Sequence, residues 1–238
     1  MRKALFLTIL IIICLSLTMQ AQKPKAYIAR IALNGGWTIK TGKTPDSYPI
    51  YYKDYLYNVK QGFSADVNAQ FNINDLFVIG LHYDYFRKSH SMPLFYTEGE
   101  QTLMSTIDNT YTNDFIALSL GIQKIDGKSR YMIHYLIGFM DYREKGNFSP
   151  YFQDWQSNYS NYSVGHCFGH GFMVNYDYMV NDHIALGLEV TYCIGTVSKL
   201  NHQRNLGDLN NLISETTVLN EPIRLNRLSP KAGLRYYF

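Results

Sequence analysis

The chain has 238 residues, a formal charge of +3, 46% hydrophobic and 17% charged residues, and three cysteines. A charge so near balance leaves no electrostatic footprint for nucleic acid. Three cysteines cannot staple a disulfide scaffold.

Arg2 and Lys3 precede the apolar stretch Ala4 to Leu17. That run is too short to cross a bilayer as a helix and has the length of a secretory h-region. Residues 1–21 are therefore expected to be a signal peptide cleaved after Ala21, leaving residues 22–238 as one domain. Cys14 follows Ile12 and Ile13, large residues where a lipidation signal wants small ones, so no lipid anchor is expected. Loss of Arg2 and Lys3 lowers the formal charge from +3 to +1 and leaves Cys167 and Cys193.

Downstream, no run of apolar residues is long enough for a transmembrane helix, and a period of two recurs instead. It is present, less cleanly, in AYIARIALN (Ala26 to Asn34). In GFSADVNAQF, Phe63, Ala65, Val67, Ala69 and Phe71 oppose Ser64, Asp66, Asn68 and Gln70. LFVIGLHYDYF sets Phe77, Ile79, Leu81, Tyr83 and Tyr85 against Gly80, His82 and Asp84. FIALSLGIQ, YMIHYLIGF and GHGFMVNYDY repeat the split around Ile116, Ile133 and Val174. The cleanest case is IALGLEVTYCIG, with Ile184, Leu186, Leu188, Val190, Tyr192 and Ile194 on one face. RLSPKAGLRYYF completes eight predicted strands.

Three connections are short and rich in turn formers: NIND, KIDGKS and VNDH. Four are long: Thr38 to Asn58, Lys88 to Tyr111, Arg143 to Tyr162, and Ser198 to Pro222. Their strict alternation puts every long loop at one end of an up-and-down sheet and both termini at the other. The predicted fold is all-β, an eight-stranded antiparallel up-and-down transmembrane barrel with periplasmic turns and extracellular loops. A soluble exported barrel would carry long charged residues outside. Here the non-apolar face is mostly Gly, Ser, Ala, Thr and Asn, which suits a narrow interior.

The chain ends KAGLRYYF, with Lys231, Gly233, Tyr236 and Phe238 in the order polar, x, Gly, x, x, aromatic, x, aromatic. This resembles the C-terminal signal by which outer-membrane barrels are recognised by their assembly machinery. Over residues 22–238 the architecture resembles the small OmpA/OmpX-type barrels and the PorT-like outer-membrane barrels. The resemblance implies an integral protein of the Gram-negative outer membrane, among lipid and lipopolysaccharide. It does not fix function, because such folds host adhesins, anchors, secretion accessories and lipid-modifying enzymes.

Candidate chemistry is sparse. His166 and His170 lie four apart on one strand, about 13 Å, too far to share a metal. Ser163 lies near His166 without a marked triad, so no catalytic, metal or cofactor site is expected. Inward parity gives Arg30, Asp66, Asp84, Asp177, Glu189, Arg227, Lys231 and Arg235, expected as a salt-bridge network filling the lumen, with Arg30 near Asp66 and Glu189 near Lys231. Cys167 and Cys193 share inward parity; a turn pairing Met179 with His183 sets Cys193 against Gly169, too oblique to Cys167 for a disulfide. Tyr51, Tyr52, Tyr55, Trp155 and Tyr159 stand among amides and acids in the long loops. They read equally as contacts for a protein or glycan and as an extension of the outer aromatic girdle. The expected function is a non-enzymatic barrel whose loops meet a ligand or partner. An accessory subunit of a secretion or assembly machine comes second and a lipid-modifying enzyme third.

Overall fold

In a backbone that must cross lipid, every N–H and C=O needs an internal partner, and a sheet provides this only by closing on itself. The computed structural model describes residues 27–42, 60–98, 101–150, 159–205 and 212–238. Its strands are β1 (Ala29–Lys40), β2 (Gln61–Asn72), β3 (Phe77–Glu98), β4 (Gln101–Asp126), β5 (Ser129–Pro150), β6 (Tyr159–Met179), β7 (Ile184–Asn205), β8 (Leu212–Arg224) and β9 (Arg227–Tyr237). Successive strands from β1 to β7 pair antiparallel, and β9 pairs with both β7 and β1, closing a ring of eight. β8 continues the wall of β9 outward along the distal half of β7, from Thr196↔Arg224 to Asn205↔Leu212. Register slips between Val197 and Lys199, close to Pro222, which has no N–H to give to a ladder.

The short turns are shaped by local chemistry. Asn74 Oδ1 accepts from the amides of Leu76 and Phe77 at 2.9 and 2.7 Å, and Asn181 Oδ1 does the same for His183 and Ile184 at 2.9 and 2.7 Å. Gly127 takes φ 56° in the two-residue turn between Asp126 and Ser129, the left-handed conformation such a hairpin requires.

Three of the four expected long loops are largely strand. β3 and β4 stay paired out to Glu98↔Gln101, β5 and β6 to Phe148↔Tyr159, and β7 and β8 to Asn205↔Leu212. The period-two signal disappears there because water bathes the outside of this part of the sheet, and segments such as Ser214 to Thr217 are polar on both faces. Most of the fourth, Thr38 to Asn58, lies outside the described residues; among those described, the paired wall reaches farthest from β3 to β8.

Polarity inverts along the strands. On β5 the outward residues Tyr131, Ile133, Tyr135 and Phe139 are exposed, whereas Arg130 and His134 lie buried inside. From there outward the order reverses: Met140 and Tyr142 are buried inside, and Asp141, Arg143 and Lys145 face out. On β4 the same switch falls between Ile116 and Phe115, with Asp114 and Thr112 outward beyond it. Leu33, Leu81, Ile116 and Phe139 are 61%, 63%, 61% and 69% exposed. A continuous belt of such residues is incompatible with water and fits hydrocarbon. Its height, Phe77 to Tyr85 on β3 and Tyr131 to Phe139 on β5, matches the roughly 9–11 residues of a membrane-spanning strand.

This geometry predicts a labelling pattern. With an impermeant thiol reagent, Asn147→Cys should react on intact cells and Asn181→Cys only after the outer membrane is opened. Phe139→Cys, in the belt, should react in neither case. Equal labelling of Asn147→Cys and Asn181→Cys on intact cells would refute this orientation.

Candidate functional site

Because a strand's alternate residues point inward and an eight-stranded ring is narrow, polar side chains from opposite walls meet inside. Two ionic layers result. In the layer nearer the termini, Asp177 on β6 accepts from Arg30 Nε and Arg235 Nε at 2.8 Å each, and from the Tyr237 hydroxyl at 2.6 Å. Arg30 also donates to Asn68 Oδ1 and Gln70 Oε1, at 2.8 Å each. Beside it the Arg130 guanidinium lies 4.5 Å from the ring centres of both Tyr27 and Tyr237. Gly187 makes room for this layer, since a Cβ there would strike the Arg235 guanidinium and Asp177.

In the next layer Lys231 Nζ lies 2.7 Å from Asp66, 2.9 Å from Asp84 and 3.6 Å from Glu189, and Arg227 lies 3.4 Å from Asp84. Asn34 Nδ2 ties Asp66 to Glu189 at 2.7 and 3.1 Å, and Thr191 donates to Glu189 at 2.8 Å. His82 stands in the same layer, fully buried, its ring edge-on to Phe115. Farther outward the interior turns apolar: Phe115, Leu136, Met140, Met173, Cys193, Val197, Leu200 and Leu225 form one buried cluster.

Glu189 and Lys231 are direct partners between β7 and β9. Arg30 and Asp66 do not meet. Arg30 lies opposite Gln70, and Asp66 lies opposite Asn34. The stagger of neighbouring strands displaces the two, and Arg30 reaches across the lumen to Asp177 instead. Side-chain parity, readable from sequence, also places Tyr237, Arg130, Asn34 and His82 inside; only the register shows which partners they find.

Of the terminal residues, Lys231 is buried, Tyr236 and Phe238 face outward at 45% and 54% exposure, and their rings lie 4.8 Å apart. A Cβ on Gly233 would collide with the Leu33 carbonyl and Asn34. Tyr51, Tyr52, Tyr55 and Trp155 lie outside the described residues, and Tyr159 opens β6 opposite Phe148. Ser163 does not face His166: residues three apart on a strand point to opposite faces. Ser163 Oγ instead lies 2.8 Å from His202 Nδ1, while His166 pairs with Asp141 on the outer surface at 2.7 Å. No carboxylate among the described residues is bonded to His202. Both thiols are free. Cys193 lies opposite Gly171, so the register is two residues from the expected Gly169, which moves Cys167 farther from it.

No protein-family model and no curated protein matches the sequence. Among solved structures, the chain is similar to a major outer membrane protein from Thermus thermophilus (10% identity, 88% of this chain and 99% of that one covered, TM-score 0.56). The chain is an eight-stranded barrel of the outer-membrane type. Lower scores are found for OprG of Pseudomonas aeruginosa (12% identity, 89% and 97% covered, TM-score 0.47) and for Ail, the attachment invasion locus protein of Yersinia pestis (11%, 89% and 99%, TM-score 0.45). At these identities the likeness is one of fold.

The barrel's ionic layers generate a stability prediction. Asp177→Ala leaves Arg30 and Arg235 buried without their anion and should cost about 3–5 kcal/mol. Asp141→Ala, which breaks a pair exposed on the surface, should stay within about 1 kcal/mol of wild type. Urea unfolding in detergent, followed by heat-modifiable gel mobility, measures both; equal midpoints for the two variants would contradict this assignment.

Proposed function

We propose that the chain is a non-enzymatic integral protein of the outer membrane that holds a ligand or protein partner at the cell surface. One observation carries this reading: the lumen is filled, while a paired sheet rises beyond the apolar belt. The inward Arg30, Asp66, Asp84, Asp177, Glu189, Arg227 and Arg235 are each at most 1% exposed, and the apolar cluster caps them. Such an interior offers no aqueous path for diffusion. The tall wall from β3 to β8, by contrast, presents side chains on paired strands, which hold a contact surface more rigidly than free loops do. Tyr51, Tyr52, Tyr55, Trp155 and Tyr159 are the candidate contacts within this reading, for a protein or a glycan.

Replacing residues 89–110 with an Asn-Gly turn joins Lys88 to Tyr111, which already face each other. The shortened chain should keep its heat-modifiable barrel and lose the protein that copurifies in mild detergent, or the signal on a glycan array. A binding profile identical to wild type would remove the projecting hairpin from the site. Stable copurification with secretion or assembly components would favour an accessory, PorT-like subunit. Hydrolysis of phospholipid or lipid A, lost in Ser163→Ala, would favour a lipid-modifying enzyme.

The terminal residues Lys231, Gly233, Tyr236 and Phe238 fit recognition by the barrel assembly machinery. Deleting Tyr236 to Phe238 should lower the folded fraction in the outer membrane, read by the same gel shift. An unchanged folded yield would remove that role.

A further inference from the structure

We propose that Asp66, His82 and Glu189 form a buried site for one divalent transition-metal ion inside the barrel. The three residues come from β2, β3 and β7 and are each 1% exposed. One donor atom from each lies within 4.8 Å of the other two. A metal with bonds of about 2.0–2.2 Å holds its donors about 3–4 Å apart, so small side-chain shifts complete the site. One imidazole nitrogen with two carboxylate oxygens is a donor set suited to zinc and its first-row neighbours.

His82 supplies the independent observation. Neither of its ring nitrogens has a hydrogen-bond partner, although the side chain is fully buried. A buried imidazole without a partner is costly. Elsewhere in the lumen His134 is satisfied on both nitrogens, by Ser119 at 2.9 Å and Gln70 at 3.3 Å. The fold thus provides partners for one interior histidine and leaves the other aimed at two carboxylates.

Asp66, Asp84 and Glu189 face Lys231 and Arg227. Lys231 stands where it would compete for Asp66 and Glu189, but it has an alternative: Asp84 lies 2.9 Å from its ammonium. With a metal held by Asp66 and Glu189, Lys231 keeps Asp84 and remains paired. The enclosed position implies that the ion enters while the barrel is folding.

The test is refolding from urea into detergent with equimolar zinc sulfate, followed by washing and elemental analysis. The full chain should retain about one zinc ion per folded barrel, and crystals should show an anomalous peak among Asp66, His82 and Glu189. His82→Leu should retain about tenfold less or lower still. A triple variant of the outer histidines, H90A/H166A/H202A, should retain as much as wild type. Should His82→Leu not fold, Glu189→Gln serves as the second variant, with the same loss expected. Zinc retention in wild type no greater than in these lumen variants, or an anomalous peak only at the outer histidines, overturns the site.

Discussion

The structure depends on the seam between its two ends. Until β9 meets β1, both strands present an open row of unpaired backbone groups, which hydrocarbon does not tolerate. The join runs from Arg30↔Tyr237 to Lys40↔Arg227 and is continued past the strand ends by Ile28 N–H to the Phe238 carbonyl and Phe238 N–H to the Ala29 carbonyl, each 3.0 Å. Phe238 is therefore part of the wall. Tyr236 and Phe238 are aromatic because the outer face there lies in the membrane interface, and Tyr237 between them points inward to Asp177.

Closure at eight strands sets the interior. A ring this narrow holds side chains and little else, so inward residues meet others from the far wall or from a neighbouring strand. Asp177 and Lys231 act as hubs, the first gathering two arginines and a tyrosine, the second three carboxylates. Such ions are a weak source of net stability but make any rearrangement expensive, because breaking one contact strands a charge in a medium that solvates it poorly. They tie β1, β2, β3, β6, β7 and β9 together and so make the register mutually enforced.

How much of this was legible in the sequence follows from the same physics. IALGLEVTYCIG reveals a strand, its lipid face and its lumen face, because a bilayer on one side and a packed lumen on the other impose strict alternation. Ser214 to Thr217 reveals nothing of β8, because that stretch no longer separates lipid from lumen. Parity placed eight ions inside but the expected set omitted Arg130, which is also buried there, and parity could not pair Arg30 with Asp177, since stagger and reach across the lumen are properties of the closed ring. His82 was visible as an inward histidine two residues from Asp84; its convergence with Asp66 and Glu189 requires three strands in register.

The inversion of polarity along each wall joins these levels. Within the membrane the barrel is apolar outside and ionic inside; beyond it the same strands are polar outside and apolar inside. A sheet leaving the bilayer loses its lipid solvent and must acquire a core of the kind water-soluble proteins use. The cluster of Phe115, Met140, Tyr142, Val197, Leu200 and Leu225 is that core, extended by Met92, Leu219 and Ile223. It fills the interior there and packs against the projecting strands. The residues that fill this part of the interior are thus the ones that pack behind the outer sheet.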